Sequence, residues 1–315
     1  MKQLEVEGFK VDGSPPRGHG VPPVPLPGSP AALTVALTAI APITWGTTYV
    51  VTTELLPPDH PLWSGVLRAL PAGLLALALG RALPHGHWWW RSLLLGTLNI
   101  GAFFPLLFLA AYLLPGGVAG VFGATGPLLV AVLAAVLLRE RPTARRLTWG
   151  IMAVLGVAAM VLGPDAALDP LGALAGLGGV TSMAVGTVLS KKWRPPVGPI
   201  AFAGWQLTAG GLVILPLAVA VEGAPPALDA QAVAGYAWLT LVGGLLAYAL
   251  WFRGLGRMPA GSAAFLPVLS PLVAAVLGYL VLGEQLTAVQ LGGFALALIA
   301  VVAAQRTSRR REGSA

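Results

Sequence analysis

The chain has no cysteine among its 315 residues, which removes disulfides, thiol catalysis and thiolate metal sites. Charge is also scarce. Only 10% of residues are Asp, Glu, Lys or Arg, against about 25% in soluble domains. The four histidines, His19, His60, His85 and His87, fall in the N-terminal stretch or between apolar runs. No metal or acid–base centre is expected from them, and no cofactor. No apolar run carries a central Asp, Glu, His or Lys, so no carboxylate proton relay is visible. What is abundant is apolar surface: 56% of residues are hydrophobic and the mean hydropathy is +0.80. A water-soluble fold of this length cannot hide so much of it, so the lipid bilayer is the expected partner. The net charge of +7 does not point to nucleic acid. Its basic residues sit in short clusters between apolar runs, a membrane pattern.

Residues 1–30 contain "GSPPRGHGVPPVPLPGSP" and no apolar core, so a disordered tail is expected there. No stretch before residue 31 is apolar and long enough for a secretory signal. Beyond it, ten runs approach the roughly 20 apolar residues that span hydrocarbon as helix. They cover about 32–53, 62–80, 92–113, 117–138, 147–163, 171–190, 198–221, 232–253, 261–282 and 287–304. A porin-like barrel would alternate apolar and polar residues, and these runs are continuous. The expected fold is an all-α polytopic membrane protein with ten transmembrane helices.

The charges orient it. "ELLPPDH", "PDAALD", "EGAPPALD" and "GEQL" follow runs one, five, seven and nine and hold no Lys or Arg. Arg81 and Arg91, then Arg139 to Arg146, Lys191 to Arg194, and Arg253 and Arg257 follow runs two, four, six and eight. Lys and Arg stay on the cytoplasmic side. Both termini are then cytoplasmic, including the basic tail 305–315, in an inner (plasma) membrane protein.

A repeat runs through the chain. At a shift of 144 residues Pro115 falls on Pro259, Gly117 on Gly261, Pro127 on Pro271, Glu140 on Glu284 and Thr143 on Thr287, and 13 of 33 ungapped positions over 115–147 are identical. Earlier, Trp63 falls on Phe202 and Gly65 on Gly204 at a shift of 139. The units are 31–163 and 168–304, five helices each. Five is odd, so the second unit enters from the opposite side. That explains why "RERPTARR" keeps arginines that its counterpart "GEQLT" lacks. Inverted repeats of this kind mark transporters with a site between the halves.

The stretches "WGTTYVVT" (45–52), "LRALPAGLLALAL" (67–79), "LPGGVAGVFGATGPLLVAVLAAVLLRERPT" and "MPAGSAAFLPVLSPLVAAVLGYLVLGEQLT" resemble, in their order, the drug/metabolite transporter superfamily, specifically its EamA-type members. The likeness covers about 32–304 and leans toward pigment and metabolite exporters. It implies export of small organic solutes without enzymatic chemistry, and fixes no substrate. Import of similar solutes uses the same fold. A membrane-embedded lipid-modifying enzyme would want an acid-rich metal motif or a nucleophile–base pair, and neither is present.

Site candidates are polar and aromatic residues inside the runs, where polar groups are costly. Helix 1 offers Trp45, Thr48 and Thr52 on one face, and helix 3 offers Asn99 and Phe103, four apart. Helix 7 offers Gln206 and helix 8 Tyr248. Trp251, three residues on, is read as an interface anchor. Thr181 and Ser182 are read as packing residues, and Gly123, Ala124 and Gly126 as sites of close helix contact. Pro105, Pro127, Pro267 and Pro271 mark helix breaks whose freed carbonyls line a cavity or simply kink the chain. Arg68 lies about 9 Å along its helix from Leu62. It either snorkels to the interface or attracts anions or gates. "HGHWWW" (85–90) reads as an interface belt rather than a metal tract. The expected partner is a small-molecule substrate, and the oligomeric state is open.

Overall fold

The computed structural model describes residues 30–113, 122–140, 142–161, 169–281 and 287–312, and among them every regular element is helical. The expected tail over 1–29, the stretch around Pro115 and Gly117, Arg141, and the "GEQL" segment with Glu284 lie outside the described residues. Eight helical segments are long and apolar enough to cross a membrane: Ala31–Leu55, Pro61–Gly80, Trp88–Leu107, Pro170–Trp193, Pro199–Glu222, Ala230–Arg257, Ala260–Val281 and Ala288–Gln305. Ten were expected. The other two expected runs appear as Phe122–Leu137, which is shorter, and as the helix Ala144–Val161, which opens with two arginines. Each adjoins a stretch outside the described residues, 114–121 and 162–168 respectively. Surface composition is inverted relative to a soluble fold. Leu74, Leu79, Val136, Leu174, Val221 and Leu280 are each more than half exposed, as a lipid-facing shell requires.

Several spans are broken. The first is α1 (Pro30–Gly46) and α2 (Thr48–Leu55), interrupted where Gly46 lets the backbone meet the Ser270 carbonyl and Val273. Next come α3 (Pro61–Gly80), then α4 (Trp88–Gly96) and α5 (Phe103–Leu113) joined by a π-helical turn, Thr97–Gly101. The Ala102 amide reaches back five residues to the Thr97 carbonyl at 2.6 Å. Pro105, having no N–H, cannot continue the normal ladder to Gly101. Then follow α6 (Gly126–Leu138), α7 (Ala144–Val161), α8 (Pro170–Trp193) and α9 (Pro199–Glu222). A second π-helical turn, Leu241–Leu246, joins α10 (Ala230–Thr240) to α11 (Ala247–Arg257). A short α12 (Ala260–Ala263) and a 3₁₀ turn, Leu266–Val268, lead into α13 (Leu269–Val281). The last helix, α14 (Ala288–Glu312), runs on through the basic residues expected as a tail from 305.

Helix ends are held by chemistry the sequence carries. Asp169 and Asp229 accept the Gly172 and Ala232 amides at 2.7 Å and start α8 and α10. His60 makes no side-chain cap for α3. Instead the Glu222 carboxylate, from the end of α9, accepts the Leu62 and Trp63 amides at 2.7 and 2.9 Å. Three helices stop on an arginine in left-handed backbone: Arg81 (φ 46°) after α3, Arg139 (φ 58°) after α6 and Arg194 (φ 46°) after α8.

Two crossings bring backbones together. α3 packs along α9, where a Cβ on Gly73 would run into the Thr208 amide and one on Gly204 would lie 2.9 Å from the Leu77 nitrogen. α7 packs along α14, where a Cβ on Gly156 would lie 2.6 Å from the Ala297 nitrogen. Around these pairs, α5 lies on α8 and α1 on α11; α6 lies on α8 and α1 on α13; α4 lies on α9 and α10 on α3.

Candidate functional site

Where the broken spans converge they leave a cavity of about 400 Å³. The break after Gly46 places Trp45 and Thr48 on its wall, the first π turn places Asn99 and Phe103, and α11 places Tyr248. Trp45 is the hub of the aromatic wall. Its ring centroid is 5.2 Å from Tyr248 and 5.7 Å from Trp251, both tilted, within the range of favourable ring pairs. Its indole Nε1 donates to the Gly243 carbonyl at 3.0 Å, tying α1 to the second π turn.

Arg68 shares that acceptor. Its Nη2 donates to the Gly243 carbonyl at 3.1 Å and its Nη1 to Thr48 Oγ1 at 3.4 Å, while Cζ stands 5.4 Å from the Phe104 ring centroid. It is only 9% exposed and borders the cavity. Snorkelling is therefore corrected: the side chain turns inward from α3, because the carbonyl of a π turn offers an acceptor there.

Asn99 is the second polar fixture. Its Nδ2 donates to Gln206 Oε1 at 2.6 Å and to Ser190 Oγ at 3.4 Å. Position 186 must be glycine-sized, since a Cβ there would strike the Asn99 amide. Ser182 Oγ donates to the Leu98 carbonyl at 2.8 Å, so it bridges α8 to the first π turn. Gln206 is fully buried behind Asn99 and does not border the cavity. It positions Asn99 and leaves its own Nε2 without a partner.

Toward the arginine-rich end the space is filled by rings. Tyr248 passes to Phe252, Phe252 to Phe202 at 4.9 Å, and Phe202 to Trp88 and Trp205. Trp205 Nε1 donates to the Ala82 carbonyl beside Arg81, and Arg91 lies over the rings of Trp88, Trp90 and Trp193. The "WWW" belt is thus split: Trp89 and Trp90 are exposed, while Trp88 is buried in this stack. Among the described residues no group of three or more His, Asp or Glu could hold a metal.

Other sequence readings need correction. Trp251 is no interface anchor; it is 6% exposed and lines the cavity, because α11 turns that face inward. Gly123 and Ala124 also border the cavity, and a Cβ on Gly123 would meet nothing within 4 Å. Pro267 and Pro271 line it, whereas Thr52 does not. Phe104 and Phe252 were not singled out from sequence at all, yet both are on the wall.

Membrane-length helices wrapped around an aromatic chamber are the build of a multi-pass membrane transporter. The chain belongs to the EamA-like transporter family, whose sequence profile matches residues 32–162 and again 170–304. It is 43% identical over 270 residues to Protein PecM of Dickeya dadantii, covering 85% of this chain and 91% of that one. It is 30% identical over 276 residues to a WAT1-related protein, At3g02690, chloroplastic, of Arabidopsis thaliana, covering 82% and 66%. Inner membrane transporter YedA of Escherichia coli K12, itself uncharacterized, matches at 28% over 270 residues, 82% of this chain and 86% of that one. One crystal structure superposes over 89% of this chain and 99% of its own with a TM-score of 0.75 at 19% identity, which shows a shared fold. As a member of this family the chain is a transporter and not an enzyme.

Proposed function

We propose that the chain exports small organic metabolites, such as amino acids, pigments or drug-like solutes, by alternating access. Two inverted five-helix halves, 31–163 and 168–304, hold the solute at the cavity between them. One observation carries the reading. Cavity-wall residues come in pairs 144 apart, the spacing of the sequence repeat: Phe104 and Tyr248, Leu107 and Trp251, Gly123 and Pro267. The two π turns, starting at Thr97 and Leu241, have the same separation. The helix pairings agree. Exchanging halves turns α5 on α8 into α11 on α1, α6 on α8 into α13 on α1, and α4 on α9 into α10 on α3. A chamber on a pseudo-two-fold axis in the membrane plane suits rocking of one half against the other.

The arginine-rich ends are read as cytoplasmic, with both termini there, in an inner (plasma) membrane. Export is preferred to import because the resemblance is to metabolite exporters. The test is flux. Purified protein in vesicles of known orientation should release labelled amino acids, pigments or cationic dyes from the cytoplasmic-equivalent side. Flux of none of them would end the transport reading; uptake in the opposite sense alone would replace export by import.

A further inference from the structure

We propose that the solute carries one negatively charged, carboxylate-like group held by Arg68, with a flat apolar body lying among the rings of the cavity. The inference rests on the cavity being the transport site, and it adds the chemical class of what enters.

Arg68 is the one charged side chain in the buried set among the described residues. Its partners are a backbone carbonyl, a threonine hydroxyl at 3.4 Å and the face of Phe104. None of these is a carboxylate, so the positive charge stands uncancelled on a mostly apolar wall. Nε is buried and has no partner. An unpaired charge withdrawn from water is costly unless something compensates it. Where the guanidinium borders the cavity it can donate to a carboxylate oxygen, a charge-assisted hydrogen bond stronger than a neutral one. The Gly243 carbonyl keeps the guanidinium in place by accepting from Nη2 at 3.1 Å.

The remaining wall limits the rest of the molecule. Trp45, Tyr248, Trp251 and Phe104 offer ring faces, and Asn99 one neutral polar contact. No carboxylate among the wall residues stands ready to pair an amine, and a cation drawn to the ring faces meets the like charge of Arg68. A cavity of about 400 Å³ admits a two- or three-ring body.

The experiment compares matched sets on one ring: benzoate, 2-naphthoate and indole-3-acetate, each beside its amide and its amine. Binding is read in detergent by quenching of tryptophan fluorescence, since Trp45 and Trp251 are on the wall, and by the rise in melting temperature. On at least one ring the wild-type protein should prefer the acid over the amide by about ten-fold or more, the value of a charge-assisted bond. Arg68→Gln should bring that ratio toward one. Arg68→Lys should keep part of it, because the charge stays while the guanidinium is lost. No acid preference on any ring, or an acid preference that survives Arg68→Gln, would overturn the inference. The wild-type comparison stands even where a variant fails to fold. Binding and flux are separate readouts: vesicle flux without acid-selective binding removes this inference and leaves transport intact, whereas acid-selective binding without flux supports it and removes transport.

Discussion

Asn99 keeps its place because residue 186 has no side chain and because Gln206 receives its amide. Both partners are buried, and a buried amide left unpaired costs about 1–3 kcal/mol. Gly186→Ala should therefore lower the melting temperature in detergent by displacing Asn99. Combined with Asn99→Ala, it should cost clearly less than the sum of the two, since the collision is then gone; additive losses would show that the two positions act independently. At this scale the sequence was a partial guide. Intramembrane polarity marked Asn99, Thr48 and Arg68, because a polar group in lipid is rare for a reason. It could not give azimuth. Trp251 sits at the basic end of its span, as an interface anchor would, but faces inward. Arg68 was near enough to one end to reach water and does not. Gln206 was polar and buried, yet in the layer behind the wall.

For the eight membrane-length segments hydropathy marked the runs and their ends to within a few residues, and proline and glycine marked several of the breaks within them. The π turns were hidden. Nothing in "TLNIG" or "LVGGLL" announces an extra residue per turn. That surplus explains a miss. An α-helical spacing of four pairs Asn99 with Phe103, but a turn closed by five-residue hydrogen bonds also brings Phe104 to the cavity. Between elements, crossings depend on missing side chains. Gly73→Ala would push a methyl into the backbone of α9, which cannot rotate away, and should cost about 1–3 kcal/mol. Gly256→Ala meets open space in an exposed helix turn and should be neutral or slightly stabilising. Equal melting shifts for the two would show that the α3–α9 contact does not depend on backbone proximity.

For the whole molecule, the proposal turns on two halves of opposite orientation. The absence of cysteine makes this directly measurable, because any single cysteine is the sole thiol. Arg141→Cys and Gln285→Cys occupy repeat-equivalent positions 144 apart. A membrane-impermeant maleimide applied to intact cells should label 285 and spare 141 until the membrane is opened. Labelling of both, or of neither, from outside would undo the inverted arrangement and with it the mechanism.

The arginines at 81, 139 and 194 have a less obvious consequence. Glycine would sit in their left-handed backbone without strain, and arginine there costs about 1 kcal/mol apiece. In the sequence repeat the partner of Arg139 is glycine, at 283. On the proposed topology each strained arginine lies at a point where the nascent chain must be kept from slipping through the bilayer. Thermal robustness is thus conceded to obtain correct threading during synthesis. A variant optimised only for heat resistance would tend to discard those three side chains, and would risk becoming a sturdier protein installed upside down.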